Sequence, residues 1–379
     1  MVHYFDNNAT TAVVPEAVAA MEPYFRADFG NPSSPHILAR RPALAVASAR
    51  ASLAELAGVA PDQLVFTSGG TEGNALAVWG WLRSGGLRDE VVVSAVEHAS
   101  VLAWHERLAE AGYTVRVAPV VRSGALDLAA LAGLIGPRTA LVSVMLANNE
   151  TGVVYPVKKI AEWAHAAGAR MHTDAAQAIG RIPVHLAALG VDAATGCAHK
   201  MHGPKGVGFL YLRDAAGWRS GLMGGGQEFG RRPGTEPVSL IAGFGAAADQ
   251  ASAWLRARGD VAMAERRDAF EAWVVASVPG ASVIGRGEPR LPNTSLLWLP
   301  GRETEVVLAA LDMAGVACSS GSACASGAHE PSHVLAAMGW AAARGAVVRI
   351  SAGRMTTDED YAALREAFTA VLARLPQGS

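Results

Sequence analysis

The chain has 379 residues, 51% of them hydrophobic, and a formal net charge of −2. That is more apolar material than one small core needs, so two domains, or a large domain with a lobe, are expected. The near-neutral balance speaks against a nucleic-acid binder, the apolar runs fall short of the roughly 20 residues of a membrane span, and three cysteines with no Cys-x-x-Cys pair predict neither a disulfide framework nor a metal site.

The opening MVHYFDNNATT lacks a basic region followed by an apolar core, so no signal peptide is expected and a reducing cytoplasm is the natural compartment. From about residue 60 to 212, β-rich runs alternate with helical patterns. Gln63–Thr67, Val91–Ser94, Thr114–Ala118, Thr139–Leu146, Arg170–Thr173, Asp192–Thr195 and Gly208–Leu212 read as strands. Ala75–Arg83, Val101–Ala111 and Val157–Ala167 read as helices between them. This alternation predicts an α/β fold with a mostly parallel seven-stranded sheet covered on both faces, with ligands bound beyond the carboxyl ends of the strands. A glycine-rich segment, Gly221 to Gly234, precedes a long helical stretch from Val238 to Val278. The remainder, from about Ala281, predicts a smaller α+β lobe. The expected organisation is an N-terminal segment, 1–15, packing with that lobe, a large domain over 16–250, and a small domain over 251–379.

Three segments carry chemistry. Thr67-Ser68-Gly69-Gly70-Thr71-Glu72-Gly73-Asn74 follows a predicted strand and opens a helix, the setting of a phosphate cup. It is not a Walker A loop, because no Gly-Lys-Ser/Thr closes it. Asp174 ends a predicted buried strand, where a carboxylate is costly unless it faces a cation such as a pyridinium nitrogen. Lys200 lies just beyond another predicted strand, where a partly buried amine can form a Schiff base. Alone, each has a plain structural reading: a glycine-rich turn, a helix-capping Asp, a solvated loop lysine. Together they are the three handles of pyridoxal phosphate (PLP): its phosphate, ring nitrogen and aldehyde.

Phe66-Thr67-Ser68-Gly69-Gly70-Thr71-Glu72, the Asp174-x-x-Gln177 pair and His199-Lys200 resemble the class V aminotransferase family of fold type I PLP enzymes. Within it, Asp6-Asn7-Asn8-Ala9-Thr10-Thr11, Asn148-Asn149-Glu150-Thr151-Gly152, Gly203-Pro204-Lys205-Gly206 and, most specifically, Ser319-Ser320-Gly321-Ser322-Ala323-Cys324 resemble cysteine desulfurases of the NifS/IscS group. The resemblance runs from residue 6 to about 355. It implies a homodimeric transferase that moves sulfur from L-cysteine onto Cys324 as a persulfide and releases L-alanine, supplying a sulfur acceptor or an iron–sulfur scaffold protein. It further implies that Lys200 holds PLP covalently, Asp174 pairs with the ring nitrogen, Gln177 meets the phenolic oxygen, and His98 stacks on the ring and moves protons. Asn149 would stand beside ring and substrate. Gly70, Thr71 and His199 would cradle the phosphate, with Thr235 reaching the neighbouring subunit's phosphate and Arg349 binding the substrate carboxylate. A selenocysteine lyase, another class V enzyme, or a non-catalytic iron–sulfur scaffold with the same fold are the alternatives.

Three departures from the family pattern stand out. Cys197 occupies a position that is usually Ser or Thr, and a thiol is a poorer donor to phosphate. Ala75 replaces a common Asp or Asn, and the chain stops at Ser379, short of the C-terminal extension with which some members dock a scaffold. Around Cys324, Ser319–His329 is rich in Ser, Gly and Ala with no hydrophobic period, which predicts an exposed, mobile loop and a cysteine outside the core. Cys318, beside Val316-Ala317, reads as a packed small hydrophobe.

Overall fold

The structure, a computed structural model, describes residues 2–82, 87–321, 332–340 and 343–375. Twelve strands occur among them: β1 (His3–Tyr4), β2 (Leu64–Thr67), β3 (Glu90–Ser94), β4 (Thr114–Ala118), β5 (Thr139–Ser143), β6 (Arg170–Asp174), β7 (Ala193–Cys197), β8 (Gly208–Leu212), β9 (Ser282–Ile284), β10 (Thr294–Pro300), β11 (Val316–Ala317) and β12 (Gly345–Ser351). β2 to β8 form one seven-stranded sheet in the order β2-β8-β7-β6-β5-β3-β4. All neighbours in it are parallel except β8, which runs against both β2 and β7.

The inner strands are almost wholly buried, as Glu-Val-Val-Val-Ser in β3 and Gly-Phe-Leu-Tyr-Leu in β8 illustrate. Near-continuous β-branched and aromatic runs suit a sheet covered on both faces. β4, at the edge, is mostly exposed. Because β8 reverses direction between β2 and β7, the carboxyl ends of β2, β3, β5, β6 and β7 all open on the same edge, and the loops after them converge there.

The second assembly is antiparallel, β12-β10-β9, beside a short parallel pair of β1 with β11. Phe5, Phe270, Leu297, Val348 and Phe368 share its core, separate from the larger core that holds Leu64, Val92, Val142, Phe209 and Ile241. Phe5, near the start of the chain, is thus built into a core formed by residues 270–371.

Several expected elements differ in detail: the helix expected over 75–83 starts earlier and runs Gly70–Leu82, and the strand expected over 192–195 runs Ala193–Cys197. The helix over 101–111 is two short helices, Ala99–Leu102 and Trp104–Glu110. The helical stretch over 238–278 is two, Val238–Arg256 and Gly259–Ser277, because Arg258 turns left-handed at φ 57°. The strand over 139–146 stops at Ser143, because the N–H of Met145 is taken by the Glu97 carboxylate (2.8 Å) rather than by a neighbouring strand.

Two polar devices fix the loops that matter later. Gly208 brings the turn after β2 against the sheet: a Cβ there would lie 2.6 Å from the Gly196 carbonyl oxygen and 2.9 Å from Gly69 Cα, both backbone. The glycine-rich segment is held by Glu228, which is buried. Its carboxylate accepts from Arg50 Nη1 (2.8 Å) and Nη2 (2.6 Å) and from the Phe66 N–H (2.7 Å) of β2. Among the described residues no helix is long and apolar enough to cross a membrane.

Candidate active site

The strand ends surround a cavity of about 330 Å³, within the size range of small-ligand pockets. Its lining contains Gly70 and Thr71 from the turn after β2, His98 from that after β3, and Asn149 from the chain beyond β5. Asp174 and Gln177 come from the end of β6, and Cys197, His199 and Lys200 from the end of β7. Arg349, on β12, closes the far side with Gly321. Of the residues singled out in the sequence, two are not in this lining. Thr235 is exposed and elsewhere on the chain, and Cys324 lies outside the described residues, as does the loop expected around it.

Each side chain has a physical setting. Asp174 is the last residue of β6 and buried. Its Oδ2 accepts from Asn74 Nδ2 (2.7 Å) and its Oδ1 from the Ala176 N–H (2.9 Å). The second bond is the turn-capping role open to any Asp at a strand end. A buried carboxylate met only by neutral donors there is also placed to hold a cation. Lys200 Nζ donates to the carbonyls of Asn8 and Ala9 (2.8 Å to Ala9).

His98 is a helix cap as well as a cavity residue. Its Nδ1 accepts from the Ser100 N–H (3.1 Å), so the ring proton of the neutral form sits on Nε2. Ser100 Oγ, 2.8 Å from Nδ1, accepts in turn from Asn74 Nδ2 (2.8 Å), which links His98 to Asp174 through one amide. Burial is the main force lowering the His98 pKa, with nearby Lys200 and His333 adding to it and Asp174 opposing. His199 is held at about 4 by burial and by Lys200, Lys205 and Arg181. Both imidazoles are therefore neutral at neutral pH.

Next to His98, Glu97 is fully buried. Its Oε1 accepts from Ser94 Oγ and from Met145 N–H, and burial raises its pKa to about 8. Burial likewise raises Glu150. Its Oε2 accepts from Ser332 Oγ (2.6 Å) and lies where a Cβ on Gly321 would fall, at 2.9 Å. Gly321 also has φ 102°, a conformation that favours glycine. Arg349 is 1% exposed: its Nη1 donates to the carbonyls of Asn149 (3.0 Å) and Gly321 (3.2 Å), and its Nη2 to Asp6 Oδ1 (2.6 Å).

Several of these residues carry no signal in sequence reasoning. Asn74 ends the segment read as a phosphate cup but had no role of its own there; the fold sets it between Asp174 and Ser100. Asn8 stood in a quoted motif without a role, yet it bonds Lys200, Gln177, Arg181, Asn293, Thr294 and Asn149. Glu97 and Glu150 each adjoin a residue that was singled out.

The donor set fits PLP. Beyond Gly69 nothing lies within 4 Å of an added Cβ, and at Gly70 only Cys197 Sγ comes within reach, at 4.0 Å. An open cradle therefore stands at the N-terminus of the helix Gly70–Leu82, where free N–H groups and the helix dipole favour a phosphate. With Glu97 and Glu150 biased toward their neutral forms, cations at Lys200, Arg349 and Arg181 outweigh the carboxylates of Asp174 and Asp6, which suits an anionic occupant.

Comparison with known proteins agrees. The family model "Aminotransferase class-V" matches residues 3–364. A "Cysteine desulfurase" of Cereibacter sphaeroides is 45% identical over 98% of this chain and 96% of its own length. "Cysteine desulfurase NifS" of Azotobacter vinelandii is 44% identical over 94% of this chain and 89% of its own. A solved "NIFS-LIKE PROTEIN" superposes with a TM-score of 0.90 at 32% identity, covering 98% of this chain and all of that one. With sheet order, cavity and near-complete alignment in agreement, the chain belongs to the class V aminotransferase family, whose members are PLP-dependent.

Proposed function

We propose that this protein is a PLP-dependent cysteine desulfurase, which converts L-cysteine to L-alanine and retains the sulfur as a persulfide on Cys324. One observation carries the choice of this chemistry within the family. Gly321, three residues before Cys324, is itself part of the cavity wall and is tied to Arg349. The segment bearing the thiol therefore departs from the substrate site, a connection that an aminotransferase does not need.

PLP, when bound, supplies an electron sink for the substrate's carbon skeleton. The chain's own groups supply the rest. The turn at Gly70-Thr71, with His199, receives the phosphate, and Lys200 is the covalent anchor. Asp174 holds the proton on the ring nitrogen, and Gln177 donates to the phenolic oxygen. Arg349 would bind the substrate carboxylate, exchanging its bond to Gly321 for one to the substrate. Neutral His98, with its proton on Nε2, and Lys200 are the groups in the wall that can move a proton. The Cys324 thiolate forms a bond to the substrate sulfur as the carbon–sulfur bond breaks. The electron pair of that bond passes to the carbon skeleton, which takes up a proton and leaves as alanine. The sulfur then passes to an acceptor or iron–sulfur scaffold protein, in the reducing cytoplasm where free thiols such as Cys197 and Cys318 persist. The test is stoichiometric: incubation with L-cysteine yields alanine and protein-bound sulfur in equal amounts in the first turnover. Formation of a keto acid without alanine overturns the proposal.

The active form is a homodimer. Thr235, exposed in the single chain, is free to face a neighbour's phosphate. Phe25, Phe29, Ile37, Leu38, Leu44, Met223 and Phe229 are all more than half exposed. Exposed large apolar side chains are suited to an interface, and a two-fold dimer is the commonest closed assembly. Sedimentation at working concentration is expected to give twice the chain mass; a fully active monomer would sink the dimer.

A further inference from the structure

Arg181 is buried and belongs to none of the motifs read from the sequence. Its Nη1 donates to Asn8 Oδ1 (2.8 Å) and to Gln177 Oε1, and its Nη2 donates to the carbonyl of Asn7 (2.7 Å). All three acceptors are neutral, so the positive charge is hydrogen-bonded but not cancelled, an expensive arrangement for a buried group. Burial accordingly pulls its pKa down to about 9, still charged at neutral pH. Arg181 does not line the main cavity. It borders a void of about 10 Å³ that also touches Lys200, Met201 and His202.

A guanidinium has only donors, so the Gln177 atom that meets it must be the amide oxygen. That fixes the other end of the amide. Gln177 Nε2 donates to the Asn8 carbonyl (3.1 Å), on the wall where Lys200 Nζ also ends, and Gln177 itself lines the cavity. Without Arg181 the amide keeps only its bond to the Asn8 carbonyl and loses the partner that pins its oxygen.

We propose that Arg181 is a positioning residue for the cofactor site: it holds Gln177 as a hydrogen-bond donor toward the cavity and sets a positive charge behind it, so that the pocket selects an anionic ring oxygen. This rests on the PLP reading above. Arg181 touches no ligand; it acts through Gln177 and Asn8.

The test is a double-mutant cycle on PLP affinity, measured by fluorescence titration of apo-protein, with the melting temperature of each apo-variant recorded alongside. Gln177→Ala is expected to weaken PLP binding about tenfold, the scale of one hydrogen bond to a charged group. Arg181→Met is expected to weaken it by at least as much, and in that background Gln177→Ala should cost less than about twofold, since the donor is no longer held. If Arg181→Met does not fold, Arg181→Lys replaces it. The single ammonium cannot span Gln177, Asn8 and Asn7 together, and the Gln177→Ala penalty should fall by at least half. A full Gln177→Ala penalty in either background overturns the role of Arg181 and leaves the cofactor site standing. If Gln177→Ala leaves the affinity of the otherwise wild-type protein unchanged, the cofactor reading at Gln177 fails, and this inference with it.

Discussion

Cys324→Ala is expected to reduce alanine formation from L-cysteine by several orders of magnitude while leaving PLP content and the cysteine-induced change in the visible spectrum intact. In the proposed mechanism, holding the cofactor and the substrate needs Lys200, Asp174, the Gly70-Thr71 turn and Arg349. Capturing the sulfur needs a thiolate as well. The other two cysteines cannot stand in. Burial raises Cys197 to about 11, despite Lys200 and Arg181 nearby, and raises Cys318 to about 12, so both are thiols at neutral pH. Cys197→Ala and Cys318→Ala should therefore retain persulfide formation. Cys197 borders the cradle at Gly70, so its loss can alter PLP retention without touching sulfur capture. All three variants delete one thiol, which makes the comparison internally controlled. Near-normal alanine release by Cys324→Ala would put the nucleophile elsewhere.

Lys200→Ala should abolish the lysine–cofactor adduct that borohydride traps in the wild type, and with it turnover. The same change strips the Lys200 donor from the Ala9 carbonyl and leaves that of Asn8 with Gln177 alone. Leaving a carbonyl unsatisfied costs about 1–3 kcal/mol, so a lower melting temperature of the apo-variant is expected too. A reducible lysine adduct that survives the substitution would move the anchor to another residue.

How much of this could be read from sequence depended on what kind of signal each residue carries. Four of the sheet strands, β2, β3, β5 and β8, were legible because they are short runs rich in Val, Leu and Phe between turn residues, with no polar face to disguise them. Asp174, Lys200 and the glycine turn were legible because each ends a strand, and strand ends on an open parallel sheet share one edge. Helix breaks were not legible. Nothing in Leu255-Arg256-Ala257-Arg258 announces that Arg258 will turn left-handed, since Arg is a good helix former. Nor were the residues that act through contacts distant in sequence. Arg181 reads as a surface arginine, and only the fold buries it under Gln177 and Asn7. The identity of the thiol came from the Ser-Ser-Gly-Ser-Ala-Cys segment by resemblance alone; its immediate surroundings fall outside the described residues.

The stretch Asp6-Asn7-Asn8 has a consequence for how the protein is made. Asp6 bonds Arg349 across 343 positions, Asn7 bonds Ser351 across 344, and Asn8 bonds Asn293 across 285. The same stretch accepts from Lys200, Gln177 and Arg181. A chain emerging from the ribosome can form the sheet strands β2 to β8 once about residue 212 is out, but Arg349 and Ser351, which hold Asp6 and Asn7, come only with β12. Contacts of such long span are the slowest to form. Completion of the substrate site at Arg349 is therefore a late event in biogenesis. A nascent or truncated chain can have a folded sheet and still be unable to start sulfur chemistry, so the reactive thiol is not armed before the polypeptide is finished.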